Sequence, residues 1–400
     1  MHSSNQSRFP LWLLCLLLFA VLVIFFLIRI PIMLSSGNSA DVTVPDIPEE
    51  RTLDTSDELL PETADDMQLV PADEALIVEE PAAEPVVDIE PEPTPEPAPA
   101  VHIHSYVNGV CSECGAKPEF ITDFLPAEFY QENAHAGTVT LHQYEITAYA
   151  NYGQGTVSKS FNIYLPYGYD ETRPYNVLVL VHGYDGNQDS WLNTVYDYGE
   201  IQMCGRILFD NMFDKGVCEP CIIITPVTET NQIQGLTAGI YQLQEELREY
   251  ILPYVAEHYS TFSADGSLES LHAARDHFAL GGLSNGALFT YEGGMRYDFD
   301  LFGSYAAFSG NGEPWKTISM IQSNEDFARL PVNCYFTGAG SLNDWQQHYT
   351  EIGYEYFVEN DPRFTDGVNS WRVDVNGEHE WKVWFTDIYN ALPLLFQNIE

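Results

Sequence analysis

Five short runs, NVLVLV (176–181), IIITP (222–226), HFALGG (277–282), SYAAFSG (304–310) and NCYFTG (333–338), recur along residues 176–338 between stretches with helical spacing. The first two are apolar at nearly every position, so neither has a polar face to give to water. A strand of that kind must be covered on both sides, which is the condition of a parallel sheet between helical layers. Parallel neighbours in turn need crossover connections, usually helical and right-handed. Two earlier strands are expected at Gly137–Thr147 and Lys159–Leu165, and a helix at Leu236–His258. The fold class that follows is α/β, with a mostly parallel central sheet flanked by helices. In such sheets functional groups sit at the carboxyl ends of strands, so the residues just after each run are the ones to inspect.

After HFAL comes Gly282-Leu283-Ser284-Asn285-Gly286, followed by the helix-like ALFTYEGGMRY. The pattern is G-x-S-x-G between strand and helix. A sharp turn there strains the serine backbone, lifts the hydroxyl above the sheet and aims the new helix start at any negative charge formed nearby. Ser284 is therefore the candidate nucleophile; an ordinary glycine-rich turn with a capping serine is the alternative.

A serine hydroxyl needs a base, expected downstream in the order Ser, acid, His. His348 falls within a probable-helix pattern, whereas His379 lies in the loop NGEHEW after the strand-like WRVDV, and it is the candidate base. The acid that orients the imidazole should follow the preceding strand, NCYFTG. Asp344 is the choice. Its alternative role is to cap the helix WQQHYTEIGYEYF, with Asp361 and Asp366 in reserve. Two backbone N–H groups should meet the developing oxyanion. Asn285 supplies one, and Tyr184, in the loop His182-Gly183-Tyr184-Asp185-Gly186-Asn187, supplies the other. His182 is expected to brace that loop rather than to move protons.

The segments FNIYLPYGYD, NVLVLVHGYDGNQDSW, DHFALGGLSNGALFTY, DLFGSYAAFSG and GEHEWKVWFTDIYNALPLLF together resemble the α/β-hydrolase branch that holds feruloyl esterases and acetylxylan esterases, with esterase D and the mycolyltransferases as relatives. The resemblance spans most of 137–400. It implies Ser284 as nucleophile, His379 as base beside Trp381 and Trp384, and a pocket lined by His182, Gly183, Asn187, Trp191 and Trp381. It also implies catalysis without a cofactor, on esters of plant cell-wall polysaccharide. Two departures stand out: the elbow reads GLSNGA where relatives often carry Met after the serine, and the acid loop GAGSLND is longer than usual.

The first hundred residues read differently. Phe9–Ile28 is an uncharged apolar run of about twenty residues, the length needed to cross the hydrocarbon of a bilayer. It is expected to be an uncleaved signal anchor over 9–34. Arg8 precedes it and an acidic stretch follows, which leaves residues 1–8 cytoplasmic and the remainder outside a bacterial cell. Residues 35–100 are rich in Asp, Glu and Pro, a composition that favours an extended disordered linker. In 101–118, His102, His104, Cys111 and Cys114 form an H-x-H and C-x-x-C set suited to a structural zinc. A Cys111–Cys114 disulfide or free thiols are the alternatives. Cys218 and Cys221 precede a buried strand and are expected to be structural.

The net charge of -43 argues against nucleic acid and anionic lipid surfaces as partners. The expected protein is thus a membrane-anchored esterase head at 119–400, acting on acyl or feruloyl esters by a Ser-His-Asp mechanism. Esterase or acyltransferase action on lipid or small-molecule esters is one alternative, and a non-catalytic glycan-binding protein is another.

Overall fold

The apolar runs become neighbouring strands. The computed structural model describes residues 121–147, 155–228, 242–310 and 312–397, and the backbone of a short pair formed by β1 (Tyr106–Val107) and β2 (Val110–Cys111). The anchor and linker expected over 9–100 lie outside the described residues. Among the described residues no helix is long and apolar enough to cross a membrane. His102, His104 and Cys114 also lie outside them, and of Cys111 only the backbone is described. β1 and β2 pair antiparallel on either side of Asn108-Gly109. Among the described residues no group of three or more His, Cys, Asp or Glu is placed to hold a metal.

The remaining strands are β3 (Thr138–Thr147), β4 (Thr156–Leu165), β5 (Val177–Val181), the short pair β6 (Tyr196–Asp197) and β7 (Gln202–Met203), β8 (Ile222–Pro226), β9 (Phe278–Leu283), β10 (Ser304–Phe308), β11 (Cys334–Gly338) and β12 (Ser370–Arg372). Among the described residues one sheet holds eight strands in the order β12-β11-β10-β9-β5-β8-β4-β3. From β12 to β8 every pairing is parallel; β4 and β3 add an antiparallel hairpin at one edge. From β5 the chain goes to β8 on one side and returns to β9 on the other. Strand order reverses there, and such a switch point opens a crevice above the strand ends.

Alternation along a strand sends successive side chains to opposite faces. Val177, Val179 and Val181 of β5 enter one core layer, while Leu178 and Leu180 enter the other. All five are fully buried, each contributing about 1.5–3 kcal/mol relative to exposure. Leu180→Asp would place an unpaired charge between sheet and helices. The expected helix 236–258 is seen from residue 242. It passes through a π turn, Leu247–Ile251, into Leu252–His258. Pro253 has no N–H to donate, and the wider turn, closed by Leu252 N–H to Leu247 O, adjoins it.

The start of the described head is pinned to its last helix, Trp381–Leu395. Thr122 N–H donates to Asn390 Oδ1 and Asn390 Nδ2 donates to Thr122 O, both at 2.9 Å. Asn390 is buried, so the pair satisfies an amide that would otherwise be costly to keep from water.

Candidate active site

Ser284 sits between β9 and the helix Asn285–Phe289 with φ 51° and ψ −111°. A non-glycine residue there carries a strain of about 1–3 kcal/mol. The surroundings hold it: Ser284 N–H donates to Phe308 O at 2.9 Å, and Leu288 N–H donates to Ser284 O at 3.0 Å. The flanking glycines are required by close packing. A Cβ on Gly282 would lie 2.6 Å from the Gly286 carbonyl carbon, and one on Gly286 would lie 2.2 Å from Val181 O.

The other two groups arrive from the ends of β11 and β12, two and three places along the sheet from β9. His379 lies in the loop leading to the helix Trp381–Leu395, and its Nε2 is 3.1 Å from Ser284 Oγ. Its Nδ1 is 3.0 Å from Asp344 Oδ1. Asp344 follows β11 and is buried. It accepts further bonds from Ser309 Oγ at 2.6 Å, Gly340 N–H at 3.1 Å and Gln346 N–H at 2.9 Å. Burial alone would raise its carboxyl, but the bonds from His379, Ser309 and the backbone outweigh that and hold it below its ordinary range. An ionised Asp344 is an acceptor only, so His379 Nδ1 carries the proton and Nε2 faces the serine hydroxyl as acceptor. The choice between orienting His379 and capping the next turn is resolved by both occurring at once, since Oδ1 receives both bonds. Asp361 is bound to Arg363 at 2.6 Å, Asp366 accepts from Tyr354 at 2.6 Å, and His348 is exposed beside Glu351.

Ser309, which sequence reading passed over, links this acid to the helix behind it. It has φ 48° at the end of β10 and accepts from Trp384 Nε1 at 2.9 Å while donating to Asp344. Its signal was available: F-S-G ends β10 as G-L-S ends β9. Trp384 packs edge-on to His379, with ring centroids 5.0 Å apart.

The loop after β5 turns back through Gly186 N–H to Gly183 O at 3.2 Å. Tyr184 and Asp185 form its tip, with Asp185 at φ 56°. Thr228 N–H donates to His182 Nε2 at 3.1 Å, so that nitrogen is unprotonated, and Nδ1 donates to Gly183 O at 2.7 Å. Burial lowers the His182 imidazole to about 4, which keeps it neutral. Behind it, Lys159 Nζ donates to Thr228 O at 2.9 Å and pairs with Glu246 at 3.0 Å, both side chains fully buried. Tyr144 also donates to Glu246.

Between this loop, Ser284 and His379 lies a cleft of about 370 Å³. Gly183 and Tyr184 border it on the loop side; Tyr196, Trp381 and Trp384 give it an aromatic wall. Tyr196 stacks on Trp381 with centroids 4.2 Å apart. Asn285 opens the helix beside Ser284, where first-turn N–H groups have no partner within the helix. Three residues expected to line the pocket do not. Trp191 is 0% exposed, bonds Val181 O through Nε1 at 3.1 Å and supports Trp381 from beneath. Asn187 turns its side chain to Asp189 N–H at 2.8 Å, steadying the turn into the helix Asp189–Leu192. His182 is buried under the loop. In each case a backbone group claimed the polar end, or packing claimed the ring.

Cys218 and Cys221 are unpaired thiols. Burial pushes both well above the ordinary thiol range, which disfavours the thiolates that redox or metal chemistry needs.

No family model matches the chain. It is 31% identical over 253 residues to endo-1,4-beta-xylanase Y of Acetivibrio thermocellus, covering 60% of this chain and 22% of that protein. It is 26% identical over 157 residues to an endo-1,4-beta-xylanase/feruloyl esterase of Xylanibacter ruminicola, covering 37% of this chain and 19% of that one. The chain thus spans about a fifth of the length of these curated relatives. Among solved structures it is similar to a mutant of the feruloyl esterase module from Clostridium thermocellum in complex with sinapinate, with TM-score 0.59 and 24% identity over 69% of this chain and 94% of that one. A CE1 ferulic acid esterase from Anaeromyces mucronatus gives TM-score 0.50 and 21% identity over 69% of this chain and 96% of that one. The chain has the α/β-hydrolase fold. Ser284, Asp344 and His379 follow β9, β11 and β12 in turn, the order in which an α/β-hydrolase presents nucleophile, acid and histidine.

Proposed function

We propose that the protein is a carboxylic ester hydrolase that cleaves acyl or feruloyl esters of plant cell-wall polysaccharide such as xylan through a Ser284 acyl-enzyme. The observation that carries this reading is the contact of Ser284 Oγ with His379 Nε2 at 3.1 Å, backed by a buried, fully hydrogen-bonded Asp344. His379 takes the hydroxyl proton as Oγ attacks the ester carbonyl, and Asp344 stabilises the imidazolium. The tetrahedral oxyanion faces the N–H groups of Tyr184 and Asn285. Collapse breaks the bond to the alcohol, which leaves with the proton from His379. Water, deprotonated by the same histidine, then releases the acid. Nothing in this sequence requires a metal. The aromatic wall of Tyr196 and Trp381 suits a planar aromatic acyl group, and the names of the similar proteins support the polysaccharide context.

The same reading places the head outside a bacterial cell on the apolar segment 9–34 and the acidic linker 35–100, with a structural zinc at His102, His104, Cys111 and Cys114. Fractionation before and after carbonate wash tests the anchor, and metal content of the 101–118 segment tests the zinc. The enzymatic claim is tested with a fluorophosphonate probe and with feruloylated and acetylated xylan. The wild type should label and release ferulate or acetate, and Ser284→Ala should do neither while melting at a similar temperature. A folded wild type inert to the probe and to both polysaccharides would sink the esterase reading.

A further inference from the structure

The Ser284–His379 pair fixes which side of the site each half of an ester must occupy. The acyl carbonyl oxygen has to face the Gly183–Gly186 loop and the helix start, so the acyl chain enters the aromatic-walled cleft. The leaving alcohol must receive its proton from His379 Nε2 and therefore lies on the histidine side. On that side, outside the cleft lining, stands Trp345. Its ring is centred 5.3 Å from the His379 ring with planes 36° apart, and the residue is 63% exposed.

The backbone on both sides of Trp345 is fixed. Ser341 N–H bonds Val375 O and Leu342 N–H bonds Gly377 O, both at 2.8 Å, and Gln346 N–H bonds Asp344 Oδ1 at 2.9 Å. The loop that holds the acid thus also presents the indole. Leu342, at 51%, and Tyr349, at 50%, three residues before it and four after it in the chain, are exposed as well. Large apolar side chains left exposed beside a cleft are what a binding surface presents. The nearby charges are acidic or already paired: Glu378 is exposed, and Arg372 is engaged by Glu351 and Asp374. An anionic alcohol would meet repulsion there, whereas a neutral sugar offers C–H faces to an aromatic ring at no charge cost.

We infer that Trp345 is the leaving-group platform, stacking against a neutral sugar ring of the alcohol part of the ester and so selecting polysaccharide esters over simple alkyl esters. This rests on the esterase reading above and adds the residue that would set alcohol specificity. It is tested by kinetics of wild type, Trp345→Ala and Trp345→Phe on matched pairs: methyl ferulate against a feruloylated arabinoxylan oligosaccharide, and ethyl acetate against acetylated xylo-oligosaccharide. Trp345→Ala should lose about tenfold or more in kcat/KM on the sugar esters, mainly through KM, a loss equivalent to about 1.4 kcal/mol, and stay within about twofold on the simple esters. Trp345→Phe should recover most of the loss. Binding of the oligosaccharide ester to Ser284→Ala, measured by calorimetry, should weaken when Trp345→Ala is added. Equal losses on both kinds of ester, or a shifted pH profile, would show instead that Trp345 orients or shields His379 and would overturn the platform. So would no loss on either. A wild type inert toward all four substrates would strike at the esterase reading itself.

Discussion

The sheet has a hollow at each end. Above the carboxyl ends of β5 and β9 lies the cleft of about 370 Å³, and at the amino end of β8 lies one of about 450 Å³ bordered by Phe213, Val217, Cys218, Pro220, Leu392 and Phe396. The second is the larger, yet its one thiol, Cys218 beside Glu219, is held protonated by burial, and no serine or histidine is among its described lining residues. The reason lies in parallel architecture. Helices that follow parallel strands begin at the carboxyl end, so their unpaired N–H groups and positive dipole ends collect there. The amino end receives helix carbonyls, which disfavour an oxyanion. Volume does not single out the proposed site; helix polarity and the strand-order reversal favour it.

That contrast can be broken most decisively at the nucleophile. Ser284→Ala should lower turnover by about 10⁶-fold, the scale seen when one member of such a triad is removed, as read by ester hydrolysis. Next, Asp344→Asn should cost on the order of 10⁴-fold in kcat, because an amide in that position favours the wrong imidazole tautomer. Melting temperature should change much less. A smaller effect concerns His182. Its folded value of about 4 lies below the ordinary 6.5, so between those values the unfolded chain binds more protons than the folded one. Stability should therefore fall as pH drops from about 6.5 to about 4, by about 3 kcal/mol at most from this group. Denaturation against pH should show a shallower acid slope in His182→Gln. Ser309→Ala removes one bond to the Asp344 carboxylate and leaves Trp384 Nε1 without its acceptor; about a tenfold fall in kcat is expected. At the other hollow, Cys218→Ala should leave kcat/KM within about twofold, and a larger loss there would erase the distinction between the two ends.

Much of the carboxyl end was legible because its signals are local. Ser284, Asp344 and His379 each follow a strand-like run by a few residues, so sheet topology alone carries them to one edge. The glycines around Ser284 announced a close approach that only the fold could dimension. What escaped depends on depth rather than order. Trp191 and Trp381 look equally suited to a pocket in sequence, but one rests on the sheet and the other rests on it. Ser309 and Tyr196 act through partners 35 or more residues away, a separation that no periodicity records. Trp345 was read only as part of a helix, since exposure beside the His379 ring cannot be inferred from spacing. The parallel strands were placed within one to three residues of their ends, because apolar runs bounded by glycine or proline have few other uses.

The paired amides of Thr122 and Asn390 have an engineering consequence. They put the first and last parts of the folded head side by side, so the whole unit could be spliced into a surface turn of another protein with short connectors and little strain on its host. A fragment trimmed to begin at β3 would lack one half of that clasp and leave a buried asparagine unpartnered. Cassettes for transplanting this head should therefore start ahead of residue 121.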